Sequence, residues 1–386
     1  MRRCALPELL HAEPGTAASH RPRAAAALAA VPADATASQV WAALGAAGIL
    51  RDLYDRGASR PAAPDPGRLS ELLGAVDARG DNGITLSVLV QAASALPLLA
   101  ACAPEAGPVR AALDETLSGT ATVALAATDD AAAGSDLTGL GTEVTIGPDE
   151  LVLTGGKRWI TTAWEADRLL VLARHRPGRH FTSFTWVLVP ATAPGVRIRP
   201  AGTDLLTGSA TGHVEFDAVR LPVDHLVGRP GRGMAAFARH MGTERLAGAL
   251  WAVALTRRVL ADTKQRLTRR HIDGQPLWHN DAVRQRYATC LVQVRQLRAL
   301  CDSLGEQVVD RHDLAAAALL KSAAGLVAEP VLATCAQLQG ADGFARDGAQ
   351  HIRSEAAVLG IGGGVTELVL GTVADNADAL LAELSP

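Results

Sequence analysis

Residues 142–163 read TEVTIGPDELVLTGGKRWITTA. Apolar and polar residues alternate on both sides of a Gly-Pro-Asp segment, which predicts two antiparallel strands joined by a turn. Alternate residues of a strand face the same side, so Trp159 and Thr161 are expected to present a flat ring and a hydroxyl together. A tryptophan ring can stack on a planar cofactor. A core tryptophan beside a strand threonine is an equally good interpretation of these two residues alone.

The rest of the chain falls into three zones around this hairpin. Short β-branched runs bounded by Gly and Pro indicate a small, β-barrel-like middle domain over 121–230. Apolar residues at three- and four-residue steps predict an N-terminal helical domain over 1–120 and a C-terminal four-helix bundle over 231–386. The Ala/Pro-rich residues 1–35 are expected to be poorly ordered. The fold class is therefore α+β, and no GxGxxG motif after a strand supports a Rossmann domain.

Composition argues against several functional classes. The 386 residues are 48% hydrophobic and 20% charged, which is an ordinary globular balance. A formal net charge of −3 gives no reason to expect a nucleic-acid partner. No continuous apolar run reaches the ~18–20 residues that cross a bilayer, and no signal peptide is recognised, so we expect a cytoplasmic protein without membrane contact. The 5 scattered cysteines, with no CxxC pair, predict reduced thiols and no metal site.

A second motif opens the middle domain at 127–136, ATDDAAAGSD. Alone, this small polar loop is most often a solvated turn. Together with GGKRWITTA at 155–163, it resembles the TEPxAGSD-like loop and GxKxWITN-like strand of the acyl-CoA dehydrogenase family. The resemblance continues through three further segments, at 208–234, 335–344 (similar to QxxGGxGY) and 352–368 (similar to RDAxxxxIxxGTSEI). The resemblance is specific because several motifs occur in the family's order, although some of them differ from the family pattern at individual positions.

The resemblance implies an FAD cofactor, held between the middle domain and the bundle and partly by a neighbouring subunit of a homodimer or homotetramer. Trp159 would flank the flavin ring, and Thr161 would bond near its reactive nitrogen. The segment RRHIDGQPL departs from the family pattern, because Ile272 replaces an aromatic residue and Asp273 looks inserted. The cofactor-binding residues carried over are Thr128, Ser135, Trp159, Thr161, Arg270, Gln337, Gly340, Gly343 and Thr366.

The reaction of this family needs a carboxylate to remove a weakly acidic hydrogen α to a thioester carbonyl, while the flavin takes the second hydrogen. Many members carry this glutamate in an IYEGT-like segment near the C-terminus, and Gly363 stands at that position here. A subset that includes isovaleryl-CoA dehydrogenase-like enzymes pairs such a glycine with a glutamate in an ERL segment of the first bundle helix. The resemblance therefore implies Glu244 as the base. The alternative is a solvent-facing glutamate paired with an arginine.

Two further residues have open interpretations. Trp164 either walls the pocket or covers the middle domain. His240, one helical turn before Glu244, is expected to be a surface histidine, with a second acid-base role as the alternative. A helical repeat places three more residues on the face of Glu244: Ala247, Gly248 and Trp251.

We therefore expect an FAD-dependent dehydrogenase of a small acyl thioester, bound to coenzyme A or to an acyl carrier protein, with an electron-transfer partner. The departures of these motifs from the family pattern suggest a specialised member of the family in a biosynthetic setting. Three alternatives stay open at this point. They are a flavin-dependent monooxygenase on the same scaffold, a dehydrogenase of a carrier-bound hydroxyacyl unit, and a non-catalytic carrier-protein-binding relative. The retained Glu244 argues against the monooxygenase, which needs no carboxylate base.

Overall fold

The computed structural model describes residues 20–56, 63–129 and 136–385. The N-terminal part is helical, and several of its helices begin at side chains that accept backbone N–H bonds. Thr36 forms a capping box with Gln39, and Asp81 accepts from the N–H of Ile84. The helices are α1 His20–Ala29, α2 Ala37–Ala46, α3 Ile49–Tyr54, α4 Pro66–Asp77, α5 Asn82–Val90, α6 Leu96–Cys102 and α7 Pro108–Ser118.

Helix α1 corrects part of the expectation for residues 1–35. Residues 20–29 form a regular helix, while residues 1–19 lie outside the described part of the chain. Ala24 and Leu28 are buried in the core, because they recur at a four-residue step and face α4. The alanine-rich composition that suggested poor order therefore belongs to a closely packed helix.

The middle part is an eight-stranded mixed sheet with the order β6-β7-β3-β2-β4-β5-β8, and β1 pairs in parallel with β4. The predicted hairpin is confirmed, since β2 and β3 pair antiparallel from Glu143 opposite Thr154 to Ile146 opposite Leu151. The strands are β1 Val123–Ala126, β2 Glu143–Ile146, β3 Glu150–Ile160, β4 Arg168–Arg174, β5 Phe184–Pro190, β6 Val196–Pro200, β7 Gly212–Pro222 and β8 Leu226–Val227.

Both faces of this sheet are covered. On β4, Leu170 and Leu172 pack into the core shared with the N-terminal helices and the bundle. Their neighbours Leu169 and Val171 pack into a second core on the opposite face. This explains why β4 is a continuous apolar run instead of an alternating one.

Over the described residues 233–385 the C-terminal part forms three long helices and four short ones, which agrees with the predicted α+β class. The last two helices are separated at Asn376, which donates its side-chain amide to the carbonyl of Thr372 at 2.8 Å. The helices are α8 Gly233–Arg269, α9 Asp281–Arg311, α10 Leu314–Gln339, α11 Ala349–Ala356, α12 Val358–Ile361, α13 Thr366–Asp375 and α14 Ala377–Glu383.

A two-stranded hairpin joins α8 to α9 and explains the apparent insertion of Asp273. Strands β9 His271–Ile272 and β10 Gln275–Pro276 pair antiparallel. Asp273 and Gly274 between them have φ of 50° and 75°. Two consecutive positive φ values are those of the type I′ turn that Asp-Gly favours in two-residue hairpins.

Two helical stretches of the described chain are long and apolar enough to cross a membrane, Asn82–Cys102 and Leu314–Phe344, and the bent pair 349–361 and 366–375 also qualifies. This differs from the expectation drawn from continuous apolar runs. The apolar windows of the two stretches are 78% and 50% buried inside the protein. Packing in the core therefore accounts for most of the apolar residues of the first stretch.

A buried polar network ties the three parts together near the site. The guanidinium of Arg258 on α8 donates to Asp77 at 2.9 Å and to Asn82 at 2.6 Å. Asn82 in turn donates to Glu355 of α11 at 2.7 Å, and Glu355 accepts the backbone N–H of Leu206 at 2.8 Å. Breaking one member would leave the others unpaired, so the network fixes how the parts are arranged.

Candidate active site

Glu244 lies on the buried side of α8, where three elements meet. Its Oε2 accepts a 2.7 Å hydrogen bond from the hydroxyl of Ser94. A methyl group placed on Gly363 would lie 3.7 Å from its Oε1. The structure thus brings together the glutamate and the glycine that the sequence motifs pair, although they lie far apart in the chain.

Burial raises the pKa of Glu244, while the hydrogen bond from Ser94 and the charges of Arg245 and Lys321 oppose that rise. Both cations donate to backbone carbonyls: Arg245 Nε to Gly363 at 3.0 Å and Lys321 Nζ to Leu359 at 2.6 Å. Glu244 is therefore not the solvent-facing, arginine-paired glutamate of the alternative interpretation. A carboxylate whose pKa is raised by a dry setting is a stronger proton acceptor once it is ionised.

Ser94 reaches Glu244 because the helix that carries it changes geometry. Residues 91–95 form a π turn between α5 and α6, in which the N–H of Leu96 donates to the carbonyl of Gln91. Such turns recur at functional sites because they re-aim the following side chains. Our sequence reasoning missed Ser94. Pro97, which lacks an N–H and stands inside an apolar helical run, was the available signal of a local break.

A small pocket opens beside the carboxylate, and its cavity of about 10 Å³ is roughly the space of one water molecule. The cavity is far smaller than the roughly 300–1,000 Å³ of drug-sized ligand sites, so an acyl group has to move its walls apart to enter. Most of its walls are apolar, which keeps the environment of the carboxylate dry. The lining residues are Ser94, Leu98, Leu125, Phe237, His240, Met241 and Glu244.

One expectation about a nearby residue changes. His240 is 4% exposed and lines this pocket, so the expectation of a surface histidine is wrong. It faces inward because it lies one turn from Glu244 on the same side of α8. Trp251, which shares that side, is a core residue whose indole donates to Asp77 at 3.2 Å.

At the end of β3 the strand is irregular. The pairing with β7 shifts between Lys157 and Ile160, and Trp159 within this shift has a φ of 56°. Thr161 lies beyond the strand, in a turn. The regular alternation used to place Trp159 and Thr161 on one strand face is therefore wrong, because the shift interrupts it.

The irregularity nevertheless suits a planar ligand. The Trp159 ring is 60% exposed and is held edge-on by His213 with ring centres 5.0 Å apart. Trp164 nearby is 55% exposed, while Thr128 and Thr161 are half-buried. An exposed flat ring beside hydroxyl groups fits the flavin part of FAD. Ser135 lies outside the described residues.

A second group of predicted cofactor residues lies at the far end of the bundle. Arg270 Nη1 donates to the carbonyl of Gln339 at 2.8 Å, and a methyl group on Gly340 would lie 3.1 Å from Arg270. Arg270 follows Glu244 by twenty-six residues along α8, or about 39 Å of helix at ~1.5 Å per residue. One copy of the chain therefore does not bring the two groups together. The others at this end are Gln337, which accepts from Arg286, and Gly343, packed on the carbonyl of Ala336.

Thr366, the remaining predicted contact, is engaged within the chain. Its hydroxyl donates to the carbonyl of Gly360 at 3.0 Å and accepts from Lys321 at 3.1 Å. These bonds fix the segment between Gly360 and Thr366, which carries Gly363 and leads into α13.

The sequence reasoning also missed a buried ion pair. Lys157 Nζ lies 3.1 Å from Oδ2 of Asp129, and both side chains are almost fully buried. The Thr142 hydroxyl donates to the same oxygen at 2.6 Å, and Lys157 donates to the carbonyl of Ala127 at 3.1 Å. Burial lowers the pKa of Lys157 to about 8. The pair fixes the loop before residue 130 to β3. Lys157 lies an even number of residues from the buried Leu153, so strand alternation could have indicated that the Lys157 side chain is buried.

Comparison with known proteins assigns the middle and C-terminal parts of the chain to one family. The model of the acyl-CoA dehydrogenase middle domain matches residues 124–219, and that of the C-terminal domain matches residues 231–377. The chain belongs to the acyl-CoA dehydrogenase family. As a member of that family it is an FAD-dependent oxidoreductase that dehydrogenates acyl thioesters.

Relatives within the acyl-CoA dehydrogenase family extend the match beyond these two domains. The chain is 29% identical over 342 residues to the acyl-[acyl-carrier-protein] dehydrogenase MbtN of Mycobacterium sp. (strain MCS), covering 86% of this chain and 84% of the relative. The acyl-CoA dehydrogenase of Geobacillus kaustophilus shares its fold with a TM-score of 0.82 at 21% identity, covering 96% and 99% of the two chains. The butyryl-CoA dehydrogenase of Megasphaera elsdenii gives 0.82 at 20% identity, covering 96% and 100%.

Proposed function

We propose that this protein oxidises a small acyl group held as a thioester on an acyl carrier protein, in a biosynthetic setting, with Glu244 as the base that removes the α-proton. The observation that carries the proposal is the position of the Glu244 carboxylate. It borders a small, mostly apolar pocket, its pKa is raised by burial, and Gly363 leaves the space beside its Oε1 free of a side chain.

The residues around Glu244 have separate tasks in this reaction. Ser94 orients the carboxylate through Oε2, which leaves Oε1 free to accept the proton. Arg245 holds the backbone at Gly363 and adds positive charge close to the carboxylate. The apolar walls exclude water, so the pKa of Glu244 stays raised. FAD, when bound against Trp159, supplies the acceptor for the β-hydrogen as hydride.

The carrier is proposed from the relatives. Several of the similar curated proteins are acyl-[acyl-carrier-protein] dehydrogenases, from different mycobacteria. These matches cover 78% or more of this chain, whereas a short-chain acyl-CoA dehydrogenase from Bos taurus matches over 43%. The longer matches favour a carrier protein over coenzyme A as the thiol.

We further propose that two copies share each FAD. The group around Arg270 lies about 39 Å along α8 from Glu244, which is too far for a flavin beside Glu244 to meet it in the same chain. Leu326, Ile361 and Leu368 are 60%, 64% and 62% exposed. A second copy would cover these apolar side chains of the C-terminal part and bring its own Arg270 group to the cofactor.

The test uses purified protein loaded with FAD and kept free of oxygen. Butyryl thioesters of coenzyme A and of a phosphopantetheinylated carrier protein are added in turn, and bleaching of the flavin absorbance is followed. Faster bleaching by the carrier-bound substrate is expected. Bleaching by the coenzyme A ester alone would contradict the carrier assignment, and bleaching by neither would contradict small-acyl thioester oxidation. Light scattering on the same sample must show a dimer or a larger assembly.

The rate of flavin reduction should depend on pH through Glu244. The base accepts a proton only when ionised, and its pKa is raised, so the rate rises with pH through that pKa and then levels off. The hydrogen bond from Ser94 lowers this pKa. Ser94→Ala should therefore move the midpoint to higher pH, with little change in the plateau rate.

Stopped-flow reduction at a series of pH values measures this midpoint. Ser87→Ala is the matched control, because Ser87 bonds Thr162 at 2.8 Å and not Glu244. An unchanged midpoint in Ser94→Ala, or an equal displacement in both variants, would show that Ser94 does not set the pKa of the base.

A further inference from the structure

A basic surface of four exposed arginines surrounds the start of α8: Arg176, Arg229, Arg232 and Arg239. Arg229 and Arg232 lie in one turn, because the N–H of Arg232 donates to the carbonyl of Arg229 at 3.1 Å. A methyl group placed on Gly231 between them would lie 3.4 Å from Nη2 of Arg176. Arg239 follows Arg232 by seven residues, or two helical turns, and therefore lies on the same side of α8.

No carboxylate neutralises the basic surface within the described part of the chain. Arg176 donates to a backbone carbonyl and Arg239 to an imidazole, and neither acceptor cancels a positive charge. The side chains of Arg229 and Arg232 have no hydrogen-bond or ion-pair partner among the described residues. The chain has 40 acidic and 37 Lys and Arg residues, yet residues 168–203 and 225–243 contain no Asp or Glu. Positive charge is therefore concentrated here and left available to a partner.

The basic surface adjoins the site through the first turns of α8. Phe237 is half-buried and lines the pocket beside the catalytic carboxylate. Its ring packs against that of Trp186 with centres 5.9 Å apart, and the Trp186 indole donates to the carbonyl of Gly233 at 2.9 Å. These contacts fix the part of α8 between Arg232 and Arg239 against β5, so a partner held by the arginines lies next to a wall of the pocket.

The distance from the basic surface to Glu244 fits the arm of a carrier protein. Arg232 precedes Glu244 by twelve residues, or about 18 Å of helix at ~1.5 Å per residue. In a carrier-bound thioester about fourteen bonds join the acyl carbonyl carbon to the phosphorus of the arm, and an extended chain advances ~1.2 Å per bond, or about 17 Å. The two lengths agree well within the reach of an arginine side chain.

One phosphate does not account for the whole surface. A phosphodiester carries a single negative charge, whereas the four guanidinium groups extend from the loop after β4 to the second turn of α8. Phe181, in that loop, is 52% exposed. Arginine and phenylalanine are both enriched in protein–protein interfaces, where complementary charge sets the choice and orientation of the partner. An acidic protein that carries the arm supplies negative charge over this area.

We propose that the basic surface docks an acyl carrier protein, through acidic side chains around the base of its arm and through the phosphodiester itself. This inference rests on the proposed function, which supplies the carrier-bound substrate. The arginines act on binding of the carrier, because they lie too far from the reacting atoms to take part in proton or hydride transfer.

Fluorescence anisotropy tests the docking. A dye-labelled carrier protein with a butyryl thioester on its arm is titrated with FAD-loaded protein carrying Glu244→Gln, so that no oxidation interferes. Arg229→Gln together with Arg232→Gln should raise the dissociation constant about tenfold at low salt. Raising sodium chloride from about 20 to 200 mM should weaken binding, and should weaken it less in this double variant, because salt screens exposed charges.

Arg197→Gln together with Arg220→Gln is the matched control. It removes two exposed positive charges from β6 and β7, at the end of the strand order opposite β5 and β8. The dissociation constant should stay within about twofold. Butyryl-coenzyme A, added as a competitor, should displace the carrier, and Arg229→Gln with Arg232→Gln should weaken this competitor less than about threefold.

Four results would overturn the inference: no carrier binding, binding independent of salt, an unchanged dissociation constant in the Arg229→Gln, Arg232→Gln variant, or an equal loss in the control pair. An equal weakening of butyryl-coenzyme A would also overturn it, since the surface would then bind the phosphates of a coenzyme. The first two results need no arginine variant, so poor folding of a variant leaves the test decisive. Carrier binding without bleaching in protein with Glu244 intact would contradict the proposed function and leave the docking surface in place.

Discussion

Glu244→Gln should lower the rate of flavin reduction by a small acyl thioester about a thousandfold, within the range of general base catalysis. The amide keeps the shape of the side chain and still accepts from the Ser94 hydroxyl, whose bond to Oε2 is 2.7 Å long. It does not accept the α-proton. FAD content and thermal stability should stay near those of the unmodified protein. Anaerobic stopped-flow absorbance, with the flavin content measured first, gives the rate.

Glu329→Gln is the matched control for charge removal, since Glu329 is exposed on α10 and paired with Arg353. Its rate should stay within about twofold of the unmodified protein. If FAD remains bound and Glu244→Gln still bleaches at the original rate, another residue is the base, and the role of Gly363 beside it loses its explanation.

Lys157→Met should lower the free energy of unfolding by about 3–5 kcal/mol, because it leaves a buried carboxylate without its cation. Asp129 and Lys157 are 2% and 0% exposed at the side chain, and their charged atoms lie 3.1 Å apart. Methionine fills a similar volume, so the loss is electrostatic and not a cavity effect. Chemical denaturation followed by fluorescence measures it.

The comparison variant is Arg220→Met, which removes an exposed ion pair with Glu150 in the same part of the chain. Exposed pairs contribute about 0–1 kcal/mol, so this variant should stay close to the original stability. A similarly small loss for Lys157→Met would mean that Asp129 finds other partners in its buried position.

The parts of this protein that rest on local pattern could be predicted from the sequence. The β2–β3 hairpin follows from alternation on both sides of Gly147-Pro148-Asp149, and the order of helices and strands follows from periodicity. The hairpin and the order of elements depend on residues whose local sequence already specifies their geometry. The pairing of Glu244 with Gly363 came instead from the family resemblance, because the local sequence around either residue does not bring the two together.

The details of the site depend on contacts that sequence spacing does not reveal. Ser94 meets Glu244 across 150 residues, through a π turn that no propensity predicts. Burial, together with His312 at the end of α9, lowers the pKa of His240 to about 4. Strand alternation placed Trp159 and Thr161 wrongly because the pairing of β3 with β7 shifts between Lys157 and Ile160, at Trp159 itself.

The π turn over 91–95 also has a consequence for protein engineering. A π turn holds an additional residue compared with an α-helical turn, and each helical residue corresponds to about 100° of rotation. Every side chain of α6 is therefore rotated relative to the α5 face that precedes it. Transplanting Ser94 and Leu98 into a homologue with an unbroken helix would point them away from the pocket, however faithful the substitutions. A graft has to carry the extra residue as an insertion, and an alignment that closes that gap would pair the wrong positions.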